Sequence, residues 1–309
     1  MTNFYGQFIG FGSGGGAALV PMGQVQGRSF GYHAGRQFSD AIEKWSFAAQ
    51  LDSVDVANLS GNCYYSCGVS SLTHGYVLGK HPLSGLTYVD TIERHQFATT
   101  NDVTDVGDLT AGRGSQTPSN DTTHGFCQGG YAHPAYNKTI DKVQFAATAD
   151  GASWGSLDNE GGYGAGGSSA THGYVMGGAN SKSEIQKHAF ANDTNAAEVA
   201  TCDGLRYGSS GNSSLTHGYA CMGQAGATYE KMAFASDSDG ANVGDTIDDN
   251  WEAGYSNSAD SGYIAGGMGP VTDVIQKFPF ASDANTTDWA NLTVVGTGSG
   301  AESRDGWQV

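Results

Sequence analysis

Four histidines share one tetrapeptide: His74, His124, His172 and His217 each follow a threonine and precede a glycine and an aromatic ring, as THGY, THGF, THGY and THGY. Neutral imidazole is a metal ligand, so if the strands carrying them run near a common axis, the four rings could form a partial ring around a cation. Phe30 and Ser261 hold the same place in two flanking copies, SFGY at 29–32 and DSGY at 260–263, so the position also takes side chains that do not ligate. The architectural reading is that each histidine bonds the adjacent unit's backbone while the glycine permits close approach. The glycine pair ending THGYVMGG (171–178) is then a strand end, not a phosphate loop. The four histidines are read as repeat-structural, and no metal ligand is assigned.

A second set of ionisable groups recurs in another phrase, IEKWSFA (42–48), IERHQFA (92–98), IDKVQFA (140–146), IQKHAFA (185–191), YEKMAFA (229–235) and IQKFPFA (275–281). Its basic slot holds Lys44, Arg94, Lys142, Lys187, Lys231 and Lys277. Six like charges at equivalent sites could line a groove for an acidic ligand. The structural reading pairs each with a carboxylate of its own or a neighbouring unit and packs its aliphatic stem between sheets. Acidic turns follow the phrase, among them TTND (99–102), ATADG (147–151), SDSDGAN (236–242) and SDAN (282–285). Their oxygens hint at calcium but lack the distal bidentate glutamate of an EF-hand loop, and Asp, Asn and Gly also simply make turns. TADGASW (148–154) falls one residue short of a sialidase Asp-box. There is no HExxH or Walker sequence, and six arginines, one of them in the basic slot, give little support for a carboxylate-binding triad. No catalytic residue or cofactor is assigned, although two glycosidase carboxylates need no motif.

The elements that must position these groups come from the repeat itself. The aromatic positions Tyr32, Tyr76, Phe126, Tyr174, Tyr219 and Tyr263 are 44, 50, 48, 45 and 44 residues apart. A third segment follows in each unit (DVANL 55–59, DVGDL 105–109, SWGSL 153–157, EVATC 198–202, NVGDT 242–246, DWANL 288–292), then a Gly/Ser-rich run. Each unit thus offers four strand-length segments bounded by turn residues, with no sustained helical period. Four strands repeated six times point to an all-β propeller, because stacked sheets bury both faces only by closing into a ring. With 48 glycines, helical repeats of similar length are excluded, since each mid-helix glycine costs about 1 kcal/mol. Six blades are preferred and seven remain open.

The tail SGAESRDGWQV (299–309) aligns with NSSLTHGYAC (212–221), with Gly306-Trp307 over Gly218-Tyr219. Such an overhang suits a ring whose last strand pairs with the first blade. Residues 1–28, FYGQFIGFGSGGG included, lack the repeat phrases and are read as a docking arm or a ring-closing segment, with the propeller over 29–309. The chain carries 31 acidic against 14 basic residues, a formal charge of −17, which disfavours nucleic acid and anionic membranes. It has no apolar run long enough for a transmembrane helix. The five cysteines are read as thiols: Cys63 and Cys67 would lie roughly 13 Å apart in a strand.

The order L-x-x-x-R, G-Y-x-x-G-G, I-x-K-x-x-F, seen in LTAGRGSQTPSNDTTHGFCQGG (109–130) and IDKVQFA, resembles kelch repeats, over about residues 27–309. The narrower style of KTIDKVQFAATAD (138–150), in a glycine-rich acidic chain, is similar to the kelch-like structural proteins of marine bacteriophages. That resemblance implies a non-enzymatic virion component: a fibre, whisker or decoration, partnered with other virion proteins through residues 1–28. Exposed loops bearing Tyr64, Tyr65, Tyr131 and Tyr136 are the candidates for contact with host surface carbohydrate. The other readings are a cellular kelch-type interaction module and a carbohydrate-binding or glycosidase propeller.

Overall fold

The computed structural model describes residues 29–309 apart from 37–38, 83–86, 270, 294–305 and 309. The proposed arm over 1–28 lies outside the described residues. Six antiparallel sheets stand around an axis, each with four principal strands. Blade 4 is the type: an inner strand Ala165–Ser168, a second strand His172–Gly178, a third Lys182–Ala189 and an outer Ala197–Thr201. The repeat phrases map onto these roles. The Gly/Ser-rich run is the inner strand, THGY opens the second, I-x-K-x-x-F is the third, and the DVANL-type segment is the outer strand. The fold is therefore the six-bladed propeller that the repeat arithmetic favours, and not a seven-bladed one.

Blade 1 takes its inner strand from the other end of the chain. Gly306–Gln308 pairs antiparallel with Phe30–Arg36, in the register Gly31↔Gln308, Tyr32↔Trp307 and His33↔Gly306. The expected overhang closes the ring, but its alignment needs correction. In blade 5, Tyr219 pairs with Asn212 of the inner strand. Gly306-Trp307 is therefore equivalent to Gly211-Asn212 and not to Gly218-Tyr219. The resemblance of GW to GY pointed one strand too far along the unit.

Inner strands must crowd the axis, and their composition follows. A Cβ on Gly211 would strike the backbone of Gly166 one blade back. Their hairpin ends are tied by small polar groups: the Asn120 amide donates to Ser168 Oγ (3.0 Å), the Ser168 amide to Ser213 Oγ (2.9 Å) and the Ser213 amide to Asn257 Oδ1 (3.0 Å). At the opposite mouth the tie is made of backbone alone. Tyr65, Ser115, Tyr163, Gly208 and Glu252 all have left-handed φ. The amides of the last four each donate to the carbonyl of the member one blade back, at 2.6, 2.8, 2.9 and 2.7 Å. Bulky residues are rare at such φ, and the girdle gives these ones a reason to hold it.

The seams between blades repeat as well. The aromatic of each THGY-type strand stacks on the phenylalanine of the next blade's I-x-K-x-x-F phrase: Tyr32 on Phe97, Tyr76 on Phe145, Phe126 on Phe190, Tyr174 on Phe234, Tyr219 on Phe280 and Tyr263 on Phe47, with centroids 4.5–5.1 Å apart. Stacked aromatic pairs add about 0.5–1.5 kcal/mol beyond their buried area. The acidic turns have a structural role at the periphery. Asp102, Asp150, Asp239 and Asp52, with Asn195 and Asn285, each accept an outer-strand amide from the preceding blade at 2.9–3.1 Å.

A buried acceptor on the third strand is the remaining constant. Glu43, Glu93, Asp141, Gln186, Glu230 and Gln276 are all at most 2 % exposed. Five of them accept the backbone amide of the segment arriving from the preceding blade, at Thr293, Thr110, Asn159, Asp203 and Ile247, and Glu93 accepts the Ser60 hydroxyl. Where this acceptor is an acid, a buried cation accompanies it: Arg36 at 3.9 Å, Lys80 at 2.7 Å, Arg113 at 3.0 Å and Arg206 at 2.7 Å. Where no such cation is present among the described residues, in blades 4 and 6, the acceptor is glutamine.

The THGY glycine faces a variable residue of the third strand, and in blade 4 that residue is His188 (Gly173↔His188). A side chain on Gly173 would overlap the imidazole. Burial pushes the His188 pKa from 6.5 down to about 4, a shift opposed by the Ala189 backbone and reinforced by His172. The folded value lies below the unfolded one, so the contribution is complete above pH 6.5 and is lost as pH falls toward 4. The loss is expected to reach about 3 kcal/mol. Urea unfolding at pH 7 and pH 4.5 checks this. His188→Met, which copies Met232 of the next blade, should flatten that part of the profile.

Candidate binding face

The hairpin face carries the histidines and the basic slot. Inner and second strands are joined by two-residue turns in which a serine or aspartate caps the returning amide. Ser71, Ser169 and Ser214 accept the amides of His74, His172 and His217 at 3.0 Å, and Asp121 accepts that of His124 at 2.7 Å. Each imidazole Nδ1 then lies 2.7–2.8 Å from the hydroxyl of the threonine before it. The expected bond to the adjacent blade's backbone is replaced by this local one, because the turn brings the threonine hydroxyl within reach first. Burial holds all four pKa values below the ordinary imidazole range; slot cations reinforce the shift, while Asp121 opposes it at His124. Among the described residues, no three His, Cys, Asp or Glu side chains gather as a metal site.

The five slot lysines divide into two groups. Lys187 and Lys231 reach carboxylates of the next blade, Asp237 at 2.8 Å and Asp283 at 2.5 Å. Lys44, Lys142 and Lys277 instead lie over aromatic rings, Phe30 at 3.9 Å, Trp154 at 3.6 Å and Trp289 at 4.0 Å. Such contacts contribute about 0.5–2 kcal/mol depending on desolvation. Arg94 is the cross-strand partner of Tyr76, and its charge opposes the rise that burial imposes on the Tyr76 phenol. Serial pairing with acids, the expectation from sequence, applies to two of the six slots.

The opposite face is built differently. There the loops entering each inner strand meet the turns joining second and third strands, and both carry aromatic rings. His81 lies 4.6 Å from Tyr88, Tyr88 6.1 Å from Tyr131, and Tyr131 5.0 Å from Tyr136. The series continues from Tyr136 to Tyr163 (6.4 Å), Tyr163 to Tyr207 (4.6 Å, stacked) and Tyr207 to Trp251 (6.0 Å). Tyr65 joins it edge-on at Tyr163, 5.4 Å away. The arc runs over blades 2 to 6 around the mouth formed by the backbone girdle. Tyr65, Tyr88, Tyr131, Tyr136 and Tyr207 are half-buried, and Trp251 is 37 % exposed. Tyr131 Oη is 3.0 Å from His133 Nδ1. Burial, followed by the neighbouring Tyr163 and Tyr136, pushes the Tyr207 phenol above its ordinary range. The arc therefore presents phenol hydroxyls and flat apolar faces together.

Of the tyrosines singled out from sequence, Tyr65, Tyr131 and Tyr136 come together in this arc. Tyr64 lies on the short strand Cys63–Tyr64, paired with His81. Tyr88, Tyr163, Tyr207 and Trp251 were missed. For Tyr163, Tyr207 and Trp251 the signal was a further repeat phrase, an aromatic just ahead of the Gly/Ser-rich run, which slips by one residue between units (Tyr65 and Tyr163 against Tyr207 and Trp251); Tyr88, just ahead of a third strand, belongs to no such phrase. The chain matches no protein-family model and no curated protein.

Proposed function

We propose that the protein is a non-enzymatic carbohydrate-binding propeller of a phage particle, carried as a fibre, whisker or decoration. The observation that supports binding is the aromatic arc: five half-buried tyrosines and a tryptophan on one face, where stacking and hydroxyl hydrogen bonds are available to a sugar chain at once. The recurring histidines, cations and carboxylates are engaged within turns and seams, which leaves this arc as the face best suited to a ligand. The virion assignment rests on the repeat style of KTIDKVQFAATAD and on the acidic, glycine-rich composition.

The test has two arms. Particles from the source sample should contain this chain at a fixed copy number by mass spectrometry; its absence from them would favour a cellular interaction module. A glycan array should return hits that weaken about tenfold or more in Tyr207→Ala, in line with the loss of a stacking ring. Unchanged binding in that variant would move the site off the arc, and released sugar product would favour a glycosidase.

A further inference from the structure

The sixfold repeat supplies its own control for what belongs in each seam of the hairpin face. After blades 3 and 6, Trp154 and Trp289 fill the space beside Lys142 and Lys277 and send their indole N–H to a carbonyl of the next blade, Ala189 and Ser46. After blades 4 and 5, valine stands at the tryptophan position (Val199, Val243), and an aspartate three residues beyond the next blade's phenylalanine crosses to the lysine. After blade 2, the larger Arg94 is paired with Tyr76 on the neighbouring strand of its own blade.

The seam after blade 1 has none of these devices. Val56 stands where the tryptophan would be and Thr100 where the aspartate would be. Lys44 makes no ion pair among the described residues. Its ammonium lies over the Phe30 ring at 3.9 Å, and burial holds its pKa below the ordinary range. Two cavities of about 450 and 320 Å³ open here, with Lys44, Tyr32, Phe97 and Ala98 in both walls. The larger adds the polar side chains of Thr99, Thr100 and Asn101; the smaller adds Phe30 and Leu72.

We propose that this seam binds a small organic carboxylate, whose carboxylate meets Lys44 in the place that Asp237 and Asp283 take in the seams after blades 4 and 5. Its apolar body lies against Phe30 and Leu72, and the threonine hydroxyls and Asn101 serve its remaining oxygens. A single ammonium matches one negative charge, which favours a monoanion over a phosphate ester. The volumes suit a ligand of aromatic-acid size. The inference is independent of the carbohydrate reading, because the two sites lie on opposite faces.

Phenylacetate and the neutral 2-phenylethanol are the probes, followed by saturation-transfer NMR on the full chain. Phenylacetate should bind in the millimolar range or tighter, at least roughly tenfold better than the alcohol. Thr100→Asp installs the internal carboxylate of the other seams. It should weaken phenylacetate roughly tenfold while raising the melting midpoint by about 1–3 °C, which also establishes that the variant is folded. No phenylacetate binding at about 10 mM, equal binding of the alcohol, or undiminished affinity in Thr100→Asp would each overturn the proposal.

Discussion

Arg113→Leu is expected to destabilise the protein by about 3–5 kcal/mol, because it leaves Asp141 charged and buried without its counter-ion. Arg113 and Asp141 have no side-chain exposure, and Nη2 reaches the carboxylate at 3.0 Å. Asp141 also accepts the amide and hydroxyl of Thr110, the first residue on the path from blade 2 into blade 3. The carboxylate is thus needed as an acceptor, and the arginine is needed only because the acceptor is charged. Blades 4 and 6 make this separation visible. They hold Gln186 and Gln276 at the acid's place, Gly161 and Asn250 at the arginine's, and the incoming amide still arrives at 3.0 and 2.9 Å. Asp141→Gln added to Arg113→Leu should therefore recover most of the loss, measured by urea unfolding at pH 7. A double variant as unstable as the single one would mean that the guanidinium acts through packing and its contact with the Cys127 carbonyl rather than through charge.

The same comparison explains what could be read in the chain and what could not. Strand count, blade count and seam aromatics repeat at fixed spacing, so the period alone exposes them. The buried acceptor was harder to see. Its cation comes from two different sequence places, after the turn glycine (Arg36, Lys80) or four residues beyond the outer-strand leucine or cysteine (Arg113, Arg206), so no single column shows the pairing. The histidines were legible as repeat-structural groups but not their partner, because a two-residue turn ties each to its own threonine and not to the adjacent blade's backbone. The backbone girdle leaves almost no side-chain signature. Tyr65, Ser115, Tyr163, Gly208 and Glu252 share a φ and a hydrogen bond but no residue type. The aromatic arc is assembled from two classes of loop, and only the fold brings Tyr131 beside Tyr88 and Tyr136 beside Tyr163.

Removing residues 304–309 is expected to cost several kcal/mol, since Gly31, Tyr32 and His33 are buried and would lose the partners in register with them; each buried backbone group left unpaired costs about 1–3 kcal/mol. The ring would not fall open at once, because blade 6 also grips blade 1 through side chains. Tyr263 stacks on Phe47 at 4.5 Å, Trp289 donates to the Ser46 carbonyl at 3.0 Å, and the Thr293 amide reaches Glu43 at 3.0 Å. What the deletion creates is a bare edge on the second strand of blade 1, facing the inner strands of blades 6 and 2. An unpaired edge of that kind recruits another strand. The truncated protein should therefore melt lower and associate with increasing concentration in sedimentation runs, whereas the full chain should not. A synthetic peptide of residues 301–309 added in trans should restore the midpoint and suppress association by adding the missing strand, as in other cases of strand addition to a sheet edge. A peptide with Gly306 replaced by proline has lost a backbone donor within the paired segment and should rescue poorly. Equal rescue by both peptides would mean that the ring is held by the side-chain seam, with the closing strand contributing little.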